Sequence, residues 1–454
     1  MEKTKMRKEK KKINLTEGSV AKGLMSFAIP MILGNIFQQL YNIVDSIIVG
    51  KMVGADALAA VGASTSITML FVMVAVGTGI GCSVVISQLF GAKKMEQLKT
   101  AIDTALFSIL VFSIILSLLG RALSVPILTA LKTPENIMAD ATTYLNIYFY
   151  GFFFLFLYNA FTSVFNALGD SKKPLYFLIF SSFVNIGLDI YFVKSLKLGV
   201  AGAAWATLIA QALSAVLSFI VLKKKLDGIE SGEYAKFDLQ MLKNMSRVAF
   251  PTILQQSIVS IGMLLIQGAA NQFGSVFLAG YTAAIRVDGL AIIPIVNLGN
   301  AVSTFVAQNA GAGKIDRIPK GYHVGLTAGI GFGLFVGIMM QLFGNEMIGL
   351  FMDANDAAAS IEIGAKYIEI VSIFYFIFAM MNMSSAVLRG TGDMLVFTLA
   401  AFANLVVRVS LTYAFAAATA GMVIMWANPV GWATSFTISF IRYKMGKWKN
   451  IQLI

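Results

Sequence analysis

The chain has 454 residues, of which 57% are hydrophobic and only 13% are charged. Soluble domains carry about 25% charged residues, so this composition excludes a soluble globular protein and indicates one embedded in lipid. A single cysteine, Cys82, excludes an intramolecular disulfide, and with the single histidine, His323, it provides no Cys/His metal cluster.

Apolar runs of the length that crosses a bilayer, about 20 residues, recur along the whole chain. The twelve runs lie at residues 24–49, 57–89, 101–121, 142–167, 174–194, 199–222, 248–272, 277–308, 322–343, 364–388, 395–416 and 419–441. We therefore predict an all-α polytopic membrane protein with 12 transmembrane helices. The first run follows basic residues, as a secretory signal does, but it contains Asn35, Asn42 and Asp45 and lacks a small-residue cleavage site. It is expected to remain in the protein.

The basic residues are distributed unevenly between the two sides of this arrangement. Of the 35 Lys and Arg residues, 27 fall in the tails and loops of one side, six on the other side and two within spans. Loops rich in Lys and Arg stay in the cytoplasm. We predict a multi-pass protein of the inner membrane with both termini and residues 223–247 in the cytoplasm. The net charge of +12 then reflects orientation in the membrane and not binding to nucleic acid.

The two halves of the chain resemble each other. Four pairs of segments recur in the same order and at a nearly constant spacing, namely FAIPMIL (27–33) with AFPTIL (249–254), GADALAAVGAS (54–64) with GSVFLAGYTAA (274–284), ISQLFGAKK (86–94) with VAQNAGAGK (306–314), and ALGDSKKP (167–174) with GTGDMLVF (390–397). Six spans per half is an even number, so the two repeats are predicted to be parallel, with a cleft between them. The predicted domains are a cytoplasmic basic tail (1–23), an N-terminal lobe (24–222), a cytoplasmic linker (223–247), a C-terminal lobe (248–441) and a cytoplasmic tail (442–454).

Polar residues of three spans are predicted to lie at one depth. At about 1.5 Å of rise per residue, Asp45 lies roughly 9 Å inside Lys51, and Asp189 lies at nearly the same level in the fifth span. Thr207 lies roughly 12 Å inside the sixth span, and Asn185 is one helical turn from Asp189, on the same face. Convergence of these four side chains is therefore expected.

A charged side chain at the bilayer centre costs roughly 2.5–3.5 kcal/mol, so such residues are usually functional. Two carboxyl groups close together in a dry cleft cannot both be ionised comfortably, and such a pair can carry a proton. Alternatively, two carboxylates with an amide and a hydroxyl provide the oxygen ligands that Na⁺ accepts. A packing role, through snorkelling or hydrogen bonds between helices, is the alternative. The second half argues against shared packing, because Leu265 or Ile266 and the region of Thr412 align with the two acids.

The remaining polar features within spans are predicted to be structural. Arg286 and Asp288 are two residues apart and point about 200° from one another, so they are not expected to pair. Arg408 is expected to neutralise a helix end or a nearby acid, and Glu369 to lie in solvent near the outer end of its span. The glycine-rich segment 77–81 lies within a span and follows no strand, so it favours helix packing over nucleotide binding.

The ordered set of twelve spans, YNIVDSIIVG (41–50), ISQLFGAKK, ALGDSKKP, NIGLDIYF (185–192) and RGTGD (389–393) resembles the multidrug and toxic compound extrusion (MATE) transporters. The resemblance covers the chain after residue 15 and is nearest to the DNA-damage-inducible branch. It implies a cation site in the N-terminal lobe, with a hinge where the first span bends at Pro30. The residues at that site are Tyr41, Asp45, Asn185, Asp189 and Thr207, of which all but Tyr41 could hold Na⁺.

The sequence and the resemblance together predict a monomeric antiporter, not an enzyme, which requires no cofactor beyond H⁺ or Na⁺ as coupling ion. It is expected to export organic, cationic or amphipathic drugs by alternating access. Aromatic and Met side chains in residues 148–161 and 374–383 would suit such substrates. The alternative is a flippase for a lipid-linked precursor, which would need more basic residues in its cleft than Arg286 and Arg408.

Overall fold

The computed structural model describes residues 14–350, 358–451 and 453–454, and the secondary structure of this part of the chain is helical. Residues 1–13, which hold most of the predicted basic tail, lie outside the described residues. The α-helices, in chain order, are α1 (Val20–Met52), α2 (Ala55–Gly91), α3 (Met95–Ala130), α4 (Glu135–Tyr150), α5 (Phe152–Ala167), α6 (Lys172–Asp189), α7 (Gly199–Asp227), α8 (Leu239–Ala270), α9 (Gly274–Gly311), α10 (Arg317–Gly349), α11 (Ala358–Ile373), α12 (Tyr375–Thr391), α13 (Met394–Phe415) and α14 (Val423–Lys444).

These helices match the predicted spans. Within the described ranges, eight helical stretches are long and apolar enough to cross a membrane; one of them, Leu239–Gly311, contains both α8 and α9. Two further spans are broken: α4 and α5 meet at 50°, and α11 and α12 meet at 52°. With α14, this gives the twelve predicted crossings.

The two breaks are a structural sign of the repeat. They fall at Gly151 and Phe374, which become equivalent positions when the pairing of ALGDSKKP with GTGDMLVF is extended back along both halves. A side chain at Gly151 would collide with α7, because a Cβ atom would lie 2.3 Å from Leu208 Cγ. The fourth span of each half is therefore bent at the same place.

The GD dipeptide shared by these two segments has a structural reason. Asp170 accepts a hydrogen bond from Lys225 Nζ at 3.0 Å, and Asp393 accepts one from Arg442 Nε at 2.5 Å. In each half, this ion pair joins the end of the last helix to the loop after the fourth span. Asp393 is only 3% exposed, whereas the Lys225–Asp170 pair is about 30% exposed, so the second pair is the less screened by solvent.

We call the side of the molecule where α1 begins the basic face. The halves pack together most closely on this side, through α2 of the first half and α8 and α9 of the second. A Cβ atom on Gly81 would lie 2.2 Å from Ala249 Cα, and one on Gly77 would lie 2.9 Å from Ile253 Cα. The glycine-rich segment 77–81 is thus a helix-packing surface, as predicted.

Among the described residues, contacts between the halves continue from the basic face to about the middle of α1. Asn35 Nδ2 donates to Asn297 Oδ1 at 2.9 Å, halfway along α1. Further along α2 and α8, towards the opposite face, Met69 and Met263 are 49% and 42% exposed. The packed seam therefore lies on the basic side, and the halves separate towards the opposite face.

Candidate functional site

Helices α1, α6 and α7 bring the predicted polar residues together inside the first half. Asp189 is the last residue of α6 and is fully buried, and a π-helical turn, Ile190–Ser195, follows it directly. Such turns are frequent at functional sites because the extra residue redirects the neighbouring side chains. Asn185 is 1% exposed and lies one turn before Asp189.

All five predicted site residues are neighbours in the structure. The carboxyl groups of Asp45 and Asp189 lie close enough to interact electrostatically. Asn185 Nδ2 donates to Thr207 Oγ1 at 3.4 Å, and the Tyr41 hydroxyl is within reach of Thr207. Pro30 is buried in α1 and is separate from this cluster, since it lies several turns nearer to the start of that helix than Asp45 does.

The cluster has more oxygen acceptors than donors. Both carboxyl oxygens of Asp189, Asp45 Oδ1 and Asn185 Oδ1 are buried without a hydrogen-bond partner among the described residues. Buried polar atoms are nearly always hydrogen-bonded, because leaving one unsatisfied costs about 1–3 kcal/mol. Ionised carboxylates can only accept hydrogen bonds. Two of them side by side are satisfied when one holds a proton that it can donate, or when a cation lies against their oxygens. The cluster therefore has the chemistry of a proton or small-cation site.

Two tyrosines of α4 complete the surroundings of the carboxyl pair and were not predicted. Tyr144 is 8% exposed and lies beside Asp45 and Asp189. Its ring stacks on Tyr148, with centroids 6.3 Å apart and an angle of 18° between planes. Their i, i+4 spacing was the available signal, since it places both rings on one helix face.

A small polar cavity of about 20 Å³ adjoins the carboxyl pair inside the first half. It shares Tyr41, Asn185 and Thr207 with the site. The other lining residues are Gln38, Tyr158, Leu178, Ser181, Ser182, Ala210 and Gln211. A molecule in this cavity would contact the same side chains that surround the two acids.

The second half contains a different polar cluster. Tyr375 donates its hydroxyl proton to Asp288 Oδ1 at 2.8 Å, and Asp288 is 7% exposed. Arg286 is exposed, and no ion pair joins it to Asp288 among the described residues. Arg408 packs against Gly431, whose Cβ would lie 2.4 Å from Arg408 Cγ. The structural roles predicted for Asp288 and Arg408 stay predictions.

Glu369, in contrast, is exposed on α11. We expect Glu369→Gln to retain most of the transport activity, because this carboxylate is hydrated and lies outside both polar clusters. Export by Glu369→Gln and by wild type, compared in the same vesicles at equal expression, tests this. Loss of ion coupling in this variant would place the coupling site in the second half.

An all-helical membrane protein with two similar halves, and with a pair of acids beside a polar cavity in one of them, has the architecture of a membrane transporter. The MatE family model matches residues 30–191 and 251–414, one block in each half. The chain belongs to this family, the MATE multidrug efflux transporters, and is a transporter and not an enzyme.

Two curated relatives match nearly the whole chain. The probable multidrug resistance protein YpnP of Bacillus subtilis is 30% identical over 445 residues, which is 98% of this chain and 99% of that protein. The B. subtilis probable multidrug resistance protein YoeA is 29% identical and covers 96% of each chain. The chain superposes on a MOP superfamily transporter from Pyrococcus furiosus with a TM-score of 0.89. The two chains are 24% identical, and the match covers 97% of this chain and 99% of that one; the binding pocket of that transporter is described as having reverse polarity. This last likeness concerns the fold.

Proposed function

We propose that the protein is a cation-coupled antiporter that exports organic, cationic or amphipathic compounds across the inner membrane by alternating access, with its basic face in the cytoplasm. The observation that carries this proposal is a pair of neighbouring carboxyl groups, three of whose four oxygens are buried without a hydrogen-bond partner among the described residues. Three residues beside this pair, Tyr41, Asn185 and Thr207, also line a polar cavity. Asp45, Asp189, Asn185, Thr207 and Tyr41 are the coupling residues, and Pro30 is the hinge of α1. The protein acts as a monomer.

Ion binding and substrate binding can be coupled because Tyr41, Asn185 and Thr207 belong both to the ion site and to the lining of the cavity. Binding of H⁺ or Na⁺ at Asp45 and Asp189 removes negative charge and changes the hydrogen bonds of Tyr41, Asn185 and Thr207. The free energy of binding a compound in the cavity then depends on whether the ion is bound, and the reverse holds to the same extent. An ion that enters from the opposite face can in this way drive the release of the compound there.

The lining of the cavity agrees with this class of substrate. None of the ten described lining residues is Lys or Arg, whereas a lipid-linked pyrophosphate requires cationic partners. The cavity contains two tyrosines, Tyr41 and Tyr158, whose rings can contact flat or cationic molecules. A flippase is therefore not favoured.

Efflux of a fluorescent cationic dye from proteoliposomes tests the proposal directly. With the purified protein, dye movement should accelerate under an imposed pH or Na⁺ gradient and return to the leak rate when the gradient is collapsed. Dye movement that is independent of both gradients would contradict coupling to either ion.

The two ions can be separated by neutral substitutions at the site. Na⁺ coupling should be strongly reduced in Asn185→Ala and Thr207→Ala, because each removes an oxygen ligand, whereas proton coupling should tolerate Thr207→Ala better. Initial dye efflux rates under each gradient provide the measurement. Thr143→Ala is the matched control, since Thr143 is exposed on α4 and donates only to the carbonyl of Ala139. Equal retention of both couplings in Asn185→Ala would contradict the proposed ligand set.

The orientation has its own test. A cysteine at position 230, which is exposed in the linker, should react with a membrane-impermeant maleimide only after the cells are permeabilised, in a Cys82→Ala background. Labelling at position 230 in intact cells would show that the basic face lies outside.

A further inference from the structure

Two glutamines cross the seam between the halves in opposite directions. Gln88, near the end of α2, donates through Nε2 to the carbonyl of Gly390 in the second half at 3.1 Å. Gln308, near the end of α9, donates to the carbonyl of Ala167 in the first half at 2.7 Å.

The two bonds are related by the repeat. Gln88 and Gln308 are the third residues of the matching segments ISQLFGAKK and VAQNAGAGK. Their acceptors, Gly390 and Ala167, are the first residues of the matching segments GTGDMLVF and ALGDSKKP. Each half therefore provides an equivalent donor and an equivalent acceptor to the other.

Both bonds lie in a dry seam. Gln88 and Gln308 are 4% and 1% exposed. Glycines permit this approach: a Cβ atom on Gly91 would lie 1.9 Å from the carbonyl oxygen of Gln308, and one on Gly311 would lie 1.9 Å from that of Gln88. The segments ISQLFG and VAQNAG therefore form one continuous contact on the basic face.

The chain that precedes the first helix of each half strengthens the same face. Leu15 and Gly18, just before α1, accept hydrogen bonds through their carbonyl groups from Asn309 and Arg317 of the second half, at 3.1 and 3.2 Å. In the equivalent position before α8, the backbone N–H of Asp238 donates to Thr104 Oγ1 of the first half at 3.1 Å. These contacts join the two halves on the basic face in addition to the two glutamine bonds.

We propose that Gln88 and Gln308 are positioning residues that form a paired latch, which holds the basic face closed while the cleft is open towards the opposite face. The inference rests on the proposed alternating access. Because the two bonds are related by the repeat and join the same two bodies, they break together, which favours a closed and an open state over intermediate ones.

Glutamate at these positions removes the donor at nearly constant side-chain size. In the double variant Gln88→Glu with Gln308→Glu, we expect the ratio of molecules with an open basic face to molecules with a closed one to rise. The rise should be roughly fivefold or more per lost bond, because each buried carbonyl loses its donor and faces another acceptor. Gln97→Glu is the matched control, because Gln97 is exposed at the start of α3. It should leave the ratio unchanged.

Distances between spin labels measure this ratio. In a Cys82→Ala background, labels at Lys94 and Lys320 lie exposed on the basic face of opposite halves, and pulsed electron paramagnetic resonance in nanodiscs gives their distance distribution. The latch predicts a longer-distance population that grows in each single variant and most in the double variant. Gln88→Ala with Gln308→Ala gives the same test if the glutamate variants fail to fold.

A double variant with the wild-type distance distribution would overturn the latch. Failure of alternating access would look different. In that case the wild-type distribution would not change when dye or an ion gradient is applied, whatever the variants do.

Discussion

Asp45→Asn and Asp189→Asn should each abolish gradient-driven export while folding and inserting normally. Asparagine keeps the size and hydrogen-bonding ability of the carboxyl group but cannot change its charge, so a packing role survives the substitution and a coupling role does not. A coupling free energy of about 1–3 kcal/mol corresponds to roughly 5- to 150-fold in affinity, and without that coupling dye efflux should fall to the leak rate. Binding of the dye itself, followed by fluorescence polarisation, should be retained.

The double variant and a control decide between coupling and packing. Asp45→Asn with Asp189→Asn should be little worse than either single variant, because residues that act as a unit are not additive. Asp56→Asn is the control, since Asp56 is exposed near the same membrane face, where it accepts a hydrogen bond from Asn136 at 3.4 Å. Export by Asp45→Asn at the wild-type rate would make this carboxylate a packing residue.

Counting along the chain was sufficient to predict which side chains share a level. Asp45, Asp189 and Thr207 were placed near one depth from their distance to the span ends, and Asn185 from its i, i−4 relation to Asp189. The structure brings all four together, as expected where a constant rise per residue relates depth to residue number. The twelve-helix fold was predictable for the same reason, since the bilayer fixes the length of each apolar run. The predicted lobe boundaries and the placement in the DNA-damage-inducible branch stay predictions.

The side of each helix on which a residue lies could not be predicted in this way. Lipid-facing and buried surfaces of a membrane helix are both apolar, so the hydrophobic pattern does not show which side faces a neighbour. Tyr148 was for this reason described only as part of an aromatic segment and Tyr144 was not singled out, although Tyr144 lies beside the carboxyl pair. The π-helical turn after Asp189 could not be predicted from the sequence either, because no residue type specifies such a turn.

The repeated segments also indicate where the two halves contact each other. ISQLFGAKK and VAQNAGAGK align the two halves, and the residues that they share include a glutamine and, one helical turn later, a glycine. In the structure, the glycine permits contact and the glutamine makes the bond across it. A polar residue and a small residue kept in both copies of a repeat thus indicate an interface between the copies.

Gly91→Ala and Gly311→Ala should have the largest effect on the closed basic face of any methyl-sized change in the chain. In each case the added Cβ would lie 1.9 Å from a backbone carbonyl oxygen, that of Gln308 or of Gln88. A side chain could rotate away, but a carbonyl within a helix cannot, so the helices must move apart. Overpacking of this kind costs about 1–3 kcal/mol per site, and we expect both a lower melting temperature and a larger basic-face-open population.

Gly62→Ala separates this effect from the ordinary consequence of replacing a helical glycine. Gly62 lies in α2, as Gly91 does, but a Cβ atom there would meet nothing within 4 Å. Alanine stabilises a helix interior by roughly 0.5–1 kcal/mol relative to glycine, so Gly62→Ala should melt at or above the wild-type temperature and leave the spin-label distances across the basic face unchanged. If Gly91→Ala behaved as Gly62→Ala does in both measurements, α2 and α9 would not approach as closely as the structure shows, and the seam that the two glutamines are proposed to hold closed would not exist in the membrane.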